Sequence, residues 1–166
     1  MQIPIRKSGK YTHAKPDPHL TAVKLAELKH ELESLKTYQR PRVAAEMKRL
    51  GEMGDFSENA AYALAKGRLR NLNQRIIELA EQLKSAKVIT PAKNAATVQL
   101  GHHVTVEIAD KQKTYLILGS AETNPNQGVI SHHSPIGSAL IGCQVGDSLT
   151  YRSAAKSIEC KIIKIE

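Results

Sequence analysis

The 166-residue chain contains no tryptophan and a single phenylalanine beside five tyrosines. So few large aromatic side chains exclude a thick core built on ring packing and predict thin layers of aliphatic residues. Cysteine is also scarce. Cys143 and Cys160 are separated by 16 residues and form no CxxC spacing, which excludes a zinc ribbon or a disulfide framework and fits a reducing compartment. No apolar run approaches the roughly 18 residues a membrane-spanning helix needs, and the opening MQIPIRKSGKYTHAKPDPH lacks the apolar stretch of a signal peptide. A cytoplasmic protein with no membrane partner is expected. Acids are outnumbered, with 16 Asp and Glu against 24 Lys and Arg, and the resulting net charge of +8 favours phosphate-rich partners or acidic protein surfaces.

What is present falls into two patterns. Residues 1–18 are polar and basic, broken by Pro4, Pro16 and Pro18, and read as a flexible basic tail. Leu25, Leu28, Leu32 and Leu35 then recur at spacings of 3, 4 and 3, the seam of a coiled coil. Gln39 interrupts that stripe, and Val43, Met47 and Leu50 continue it on a displaced line, as an inserted four-residue step would produce. Pro41 lies at the shift and removes a backbone donor, so a bend or a loosened turn is expected there. The second run, Ala65, Leu69, Leu72, Ile76, Leu79, Leu83 and Ala86, alternates spacings of 4 and 3 throughout. Two stripes joined by the short GEMGDFS segment bury their seams by folding back as an antiparallel hairpin over residues 19–89.

Beyond Lys87 the period changes to two. TPAKNAA, within a linker at 90–96, carries Pro91 and no stripe. Val104, Val106 and Ile108 alternate with polar residues as a half-buried strand, and ADKQK is read as the turn into TYLILG. VISHH reads as a further strand, Ser134-Pro135 as the start of a short helix, and Ile158, Cys160 and Ile162 as a closing strand. The fold class is α+β: a helical hairpin followed, over 97–166, by a small antiparallel β-sheet domain with one short helix.

The chemistry concentrates in GDFSENAAY, positions 54–62, where Asp55 and Glu58 stand three residues apart between the two helical runs. One reading is structural: Gly54 ends the incoming helix, and Asp55 with Glu58 forms a capping-box-like pair at the start of the outgoing one. The other is functional, because two carboxylates make a hard-oxygen half-site for Mg²⁺ that a partner would complete. Its surroundings favour phosphate. Arg40, Arg42, Lys48, Arg49, Lys66, Arg68, Arg70 and Arg75 face only Glu46 and Glu52 as further acids between positions 40 and 75.

The same residues carry a resemblance. GDFSENAAY resembles the tip signature of the Gre factors, the bacterial transcript cleavage factors of the GreA and GreB type. ELESLKTYQRP resembles that family's first helix with its Arg40-Pro41 pair, and GVISHHSPIGSALIGCQVGD resembles its second distinctive stretch. The resemblance implies a coiled-coil hairpin and an FKBP-like C-terminal domain. It further implies that the C-domain docks on bacterial RNA polymerase, Ser134 and Pro135 included, while the hairpin enters the secondary channel. Asp55 and Glu58 would then help the polymerase hold a second Mg²⁺ and position water, so that the RNA 3′ end of a backtracked complex is cut by the polymerase's own active site. No cofactor is expected on the chain alone, which is expected to be a monomer and not itself an enzyme. KGRLRNLNQR resembles the more basic GreB arm, whose patch contacts extruded RNA, and this implies RNA contacts for Lys66, Arg68, Arg70 and Arg75; Gly67 departs from that pattern. A second departure is Ala61, where the family commonly has an acid. It keeps open an alternative, a channel-entering regulator that inhibits polymerase without promoting cleavage. A stretch KYTHAKPDPH also appears as an insertion after the family's N-terminal lead.

The remaining candidates are weaker. His102-His103 and His132-His133 are read as strand neighbours whose rings point to opposite faces and do not share an ion. Ser57 and Ser134 have no base in a recognisable arrangement, and a chain so poor in aromatics lacks the pocket that prolyl isomerisation would want.

Overall fold

A computed structural model of the chain describes residues 17–53, 60–92, 96–109, 111–153 and 156–166. The described part opens with a two-residue strand, β1 (His19–Leu20), and then α1 (Ala22–Ser34). Thr21 caps α1: its backbone is extended and its Oγ1 accepts from the Lys24 N–H at 3.2 Å. α1 passes through a π-helical turn, Leu35–Gln39, into α2 (Arg40–Glu52). There the Arg40 N–H donates to the Leu35 carbonyl, five residues back instead of four. This wide turn is the loosened turn expected beside Pro41, and it takes up the phase slip of the stripe. One extra residue in a turn rotates everything after it by about 100°. With that rotation Val43, Met47 and Leu50 are half-buried on the side of the hairpin partner.

The partner is α3 (Ala60–Ser85), 26 residues or about 39 Å long. The six stripe residues within α3, and Ala86 just beyond it, are buried or half-buried, whereas the off-stripe Leu64 and Ile77 are 64% and 52% exposed. α3 packs antiparallel on α1 and α2 in turn. Leu20, Leu28, Leu35 and Leu79 form the buried centre, flanked by Leu25, Leu32, Leu72, Ile76, Leu83 and Ala86. α2 contains no fully buried residue. The rod is therefore best packed at its root and thinner toward the tip, as a chain with few aromatics predicts.

At the root, β2 (Lys87–Val88) pairs in parallel with β1. The Lys87 N–H donates to the Pro18 carbonyl at 2.7 Å and the Ile89 N–H to the Leu20 carbonyl at 2.8 Å, closing the hairpin at its base. Asp17 and Pro18, which the sequence reading assigns to the tail, belong to this closure. Residues 1–16 lie outside the described residues.

The second unit is a five-stranded sheet of β3 (His103–Ile108), β4 (Lys111–Leu118), β5 (Val129–Ser131), β6 (Ser148–Ser153) and β7 (Lys156–Ile165), in the order β5-β4-β3-β7-β6. The pairings are antiparallel except β4 with β5. The short helix α4 (Pro135–Leu140) covers its inner face, with Val98, Val104, Val106, Ile117, Ile130, Leu140, Cys160 and Ile162 as the core. Alternation in β7 holds through Ile158, Cys160 and Ile162 and then slips, because a bulge opposite Thr105-Val106 leaves Ile163 outside and returns Ile165 to the core side.

Two sequence expectations need correction. The turn read as ADKQK is shorter: Ile108 pairs directly with Lys111, leaving a two-residue connection in which Ala109 takes a left-handed φ of 47°. VISHH is not a strand throughout, since β5 ends at Ser131 and His132 and His133 occupy the turn into α4.

Candidate functional site

The expected site is the end of the rod. Asp55 and Glu58, together with Gly54 and Ser57, lie outside the described residues. The chain on either side fixes where they connect. α2 ends at Glu52, with the 71% exposed Met53 as its C-cap, and α3 begins at Ala60, so the helix ends that flank positions 54–59 in sequence are those remote from the β1-β2 closure. In the first turn of α3, Ala61 is exposed and Tyr62 half-buried.

The basic residues of the arms are all exposed but divide into distinct groups. Lys66 and Arg70, one helical turn apart, line a groove between the arms with Met47, Gly67, Asn73 and Ile77. Arg68 lies along a different groove with Tyr38, Arg42 and Glu46. Arg75 is occupied by a cross-arm pair: its Nε and Nη2 both donate to Glu31 Oε1, at 3.0 and 2.9 Å. Nearby, Arg40 Nε donates to Asn73 Oδ1 at 2.8 Å, again linking the two arms. The described geometry therefore offers Lys66 and Arg70 together, Arg68 with Arg42 separately, and Arg75 as a structural tie.

The other predicted contact, Ser134-Pro135, sits at the start of α4. Ser134 Oγ accepts from the Gly137 N–H at 3.0 Å and donates to the Ser131 carbonyl at 2.6 Å. Its hydroxyl is thus engaged within the domain, and the surface it can offer a partner is that of the exposed Pro135 at the first helical position.

The structure also shows a polar cluster that sequence reasoning missed, where the rod meets the sheet domain. The Glu122 carboxylate receives the Thr21 N–H on Oε1 and the Thr21 hydroxyl on Oε2, both at 2.6 Å. An acid from one unit therefore caps the first helix of the other, where the helix dipole favours negative charge. Beside it Asp17, with a side chain 4% exposed, accepts from the Ser120 N–H at 2.8 Å and the His19 N–H at 3.0 Å. Its carboxyl also faces His19 Nδ1 at 3.0 Å and His132 Nδ1 at 3.4 Å. Burial would raise the Asp17 pKa, but the two backbone donors, His19 and the charge of His132 prevail and hold it at about 2. Gly119 lets the two units approach this closely, because a Cβ there would collide with the His19 carbonyl. Only the Asp17-Pro18 punctuation hinted at the cluster, since its partners are about a hundred residues away.

A second tie runs through His102, buried at 2% exposure. Its Nδ1 accepts from the Gln99 N–H at 3.2 Å, which leaves Nε2 to donate to the Ala92 carbonyl at 3.1 Å and so anchor the segment leaving β2. Burial raises the pKa of both thiols, with Asp147 adding to the effect at Cys143, and Cys143 and Glu159 at Cys160. Neither is poised as a reactive group.

A family described as "Transcription elongation factor, N-terminal" matches residues 19–88, and one described as "Transcription elongation factor, GreA/GreB, C-term" matches residues 93–166. Among curated relatives, the transcription elongation factor GreA of Nautilia profundicola is 43% identical over 129 residues, covering 74% of this chain and 77% of that protein. GreA of Bacillus licheniformis is 40% identical over 141 residues, covering 83% and 89%. Among solved structures, the GreA factor homolog 1 (Gfh1) protein of Thermus thermophilus is 24% identical, covering 89% of this chain and 97% of that one, with a TM-score of 0.41.

Proposed function

The chain belongs to the GreA/GreB family of transcription elongation factors, and from that premise we propose that it binds bacterial RNA polymerase and stimulates cleavage of the RNA 3′ end in backtracked complexes. The sheet domain docks on the polymerase, with the exposed Pro135 region as part of that surface, and the rod enters the secondary channel. The observation that supports this reading is the packing of α3 along α1 and α2, which carries the end of α2 at Glu52 and the start of α3 at Ala60 away from the β1-β2 closure. A capping role for two acids does not require a lever. Delivery of those acids to a distant site does.

Asp55 and Glu58 offer carboxylate oxygens, the hard donors that Mg²⁺ accepts alongside water and phosphate. Shared with the polymerase, the ion would supply charge stabilisation for phosphodiester hydrolysis. The chain's own part is to present those oxygens, to orient a water against the scissile phosphate, and to hold the extruded RNA strand in the groove lined by Lys66 and Arg70, with Arg68 as a separate contact. Neither cofactor nor second subunit is required by the chain alone, and the bond is broken in the polymerase's active site.

Ala61 favours a second reading. The exposed position just before Tyr62 lacks an acid, so the factor could enter the channel and inhibit without cleavage. Adding the protein to halted, backtracked complexes with Mg²⁺ separates the two. The proposal expects shortened transcripts that extend again when nucleotides are supplied, whereas inhibition with transcripts of unchanged length would reject it in favour of the second reading.

A further inference from the structure

The cluster at the root of the rod contains groups that capping does not use. Asp17, His132 and His133 each present a ligand atom, and these atoms lie within 4.8 Å of one another. They come from the two units: Asp17 immediately precedes the rod, and the histidines form the turn between β5 and α4. Because His132 and His133 are in a turn and not a strand, their rings lie side by side, with centroids 3.9 Å apart and planes inclined by 37°. The sequence expectation that such neighbours point apart therefore fails at this pair.

We infer that Asp17, His132 and His133 form a binding site for a divalent transition-metal ion, Zn²⁺ foremost, that clips the root of the rod to the sheet domain. Three physical features support the assignment. Two imidazoles and one carboxylate are a donor set that suits Zn²⁺, Co²⁺ or Ni²⁺ and is poor for Mg²⁺ or Ca²⁺, which take oxygen. Ligands on a tetrahedral Zn²⁺ with bonds of about 2.0–2.2 Å lie roughly 3.3–3.5 Å apart. Asp17 Oδ2 and His132 Nδ1 are already 3.4 Å apart. The remaining adjustment falls on His133, whose exposed ring can rotate.

The surroundings also hold the ligands as an outer shell should. The Ser120 and His19 N–H groups orient the Asp17 carboxylate. Ser131 Oγ accepts the His133 N–H at 3.0 Å, fixing the turn, and lies 2.9 Å from Ser120 Oγ. His132 Nδ1 also faces the Leu118 carbonyl at 3.3 Å. Ligation through that nitrogen gives up this hydrogen bond and places the ring proton on Nε2.

The test uses the untagged full-length chain, stripped with a chelator and titrated by calorimetry with Zn²⁺ alone. One saturable equivalent is expected, with a raised Tm that Mg²⁺ does not reproduce, and Co²⁺ should give the visible absorption of a tetrahedral site. His133→Ala removes an exposed ring and should leave the metal-free Tm unchanged while weakening Zn²⁺ by about tenfold or more. His13→Ala, in the tail, should leave affinity intact. Absence of saturable Zn²⁺ binding, an affinity indifferent to His133→Ala, or one lost in His13→Ala would each overturn the assignment. This outcome is independent of transcript cleavage, which the proposed function assigns to Asp55 and Glu58.

Discussion

At the scale of single residues, the informative side chains are those whose charge the fold places against backbone donors. Asp17 receives two N–H groups in a nearly solvent-free position and titrates near 2 instead of the ordinary 3.8. A depressed folded-state pKa means that the unfolded chain binds the extra proton first. Asp17 therefore contributes its stability fully above about pH 4, and the contribution is lost as pH falls toward 2. Thermal unfolding of Asp17→Asn should accordingly lie below that of the parent at pH 6, with the difference shrinking steadily between pH 4 and pH 2. A constant difference across that range would show that the carboxylate charge is not what the site uses. Glu122 joins the two units, its carboxylate accepting the N–H and the hydroxyl of Thr21. Neither residue stands out in the sequence. A lone acid carries no local signal when its partner is 101 residues away, as Glu122 is from Thr21.

At the scale of elements, period was a dependable guide because burial follows it. Every member of the α3 stripe is sheltered, and the apolar residues off it, Leu64 and Ile77, are exposed. Leu79, with no exposed surface, should cost about 2–5 kcal/mol when cut to Ala. Ile77→Ala, two residues away, should change stability by no more than about 0.5 kcal/mol. Urea unfolding of the two variants checks the pair, and comparable losses would mean that the helix is rotated from the orientation described. The displaced stripe after Gln39 was legible as a slip, but its form was not. A π-helical turn depends on which carbonyl an N–H selects, and apolar spacing does not record that choice. Likewise, the extent of the β3-β4 hairpin and the end of β5 were set by register and turn geometry, which alternation leaves undetermined.

At the scale of the whole molecule, the helical rod stands on a root where it meets the sheet domain. The root is dense: β1 with β2 closes the hairpin, and Thr21 with Glu122, Asp17 with Ser120 and the close approach at Gly119 join rod and sheet domain. Toward the tip, packing thins to a helix pair with no fully buried residue in α2. Asp55 and Glu58 stand out in the sequence as two carboxylates in a basic stretch whose residues resemble a family signature, and they lie outside the described residues. The arms' basic residues were legible as a set, but their division was not. Whether Arg75 faces solvent or Glu31 depends on how the second arm lies against the first. At the root, reading His132-His133 as a strand turns the rings apart and dismisses them as an ion site, and Asp17 gives no signal because it joins them from more than a hundred residues away.

The central claim is that the lever supplies oxygens to a catalytic centre in another protein. It is tested most directly by Asp55→Asn/Glu58→Gln, which preserves side-chain shape and removes charge. In backtracked polymerase complexes with Mg²⁺, the rate of RNA cleavage should fall on the order of 100-fold, while affinity for polymerase, measured in the same preparation, stays within about twofold because root and sheet domain are unaltered. Cleavage at the parental rate by a bound double variant would contradict the account.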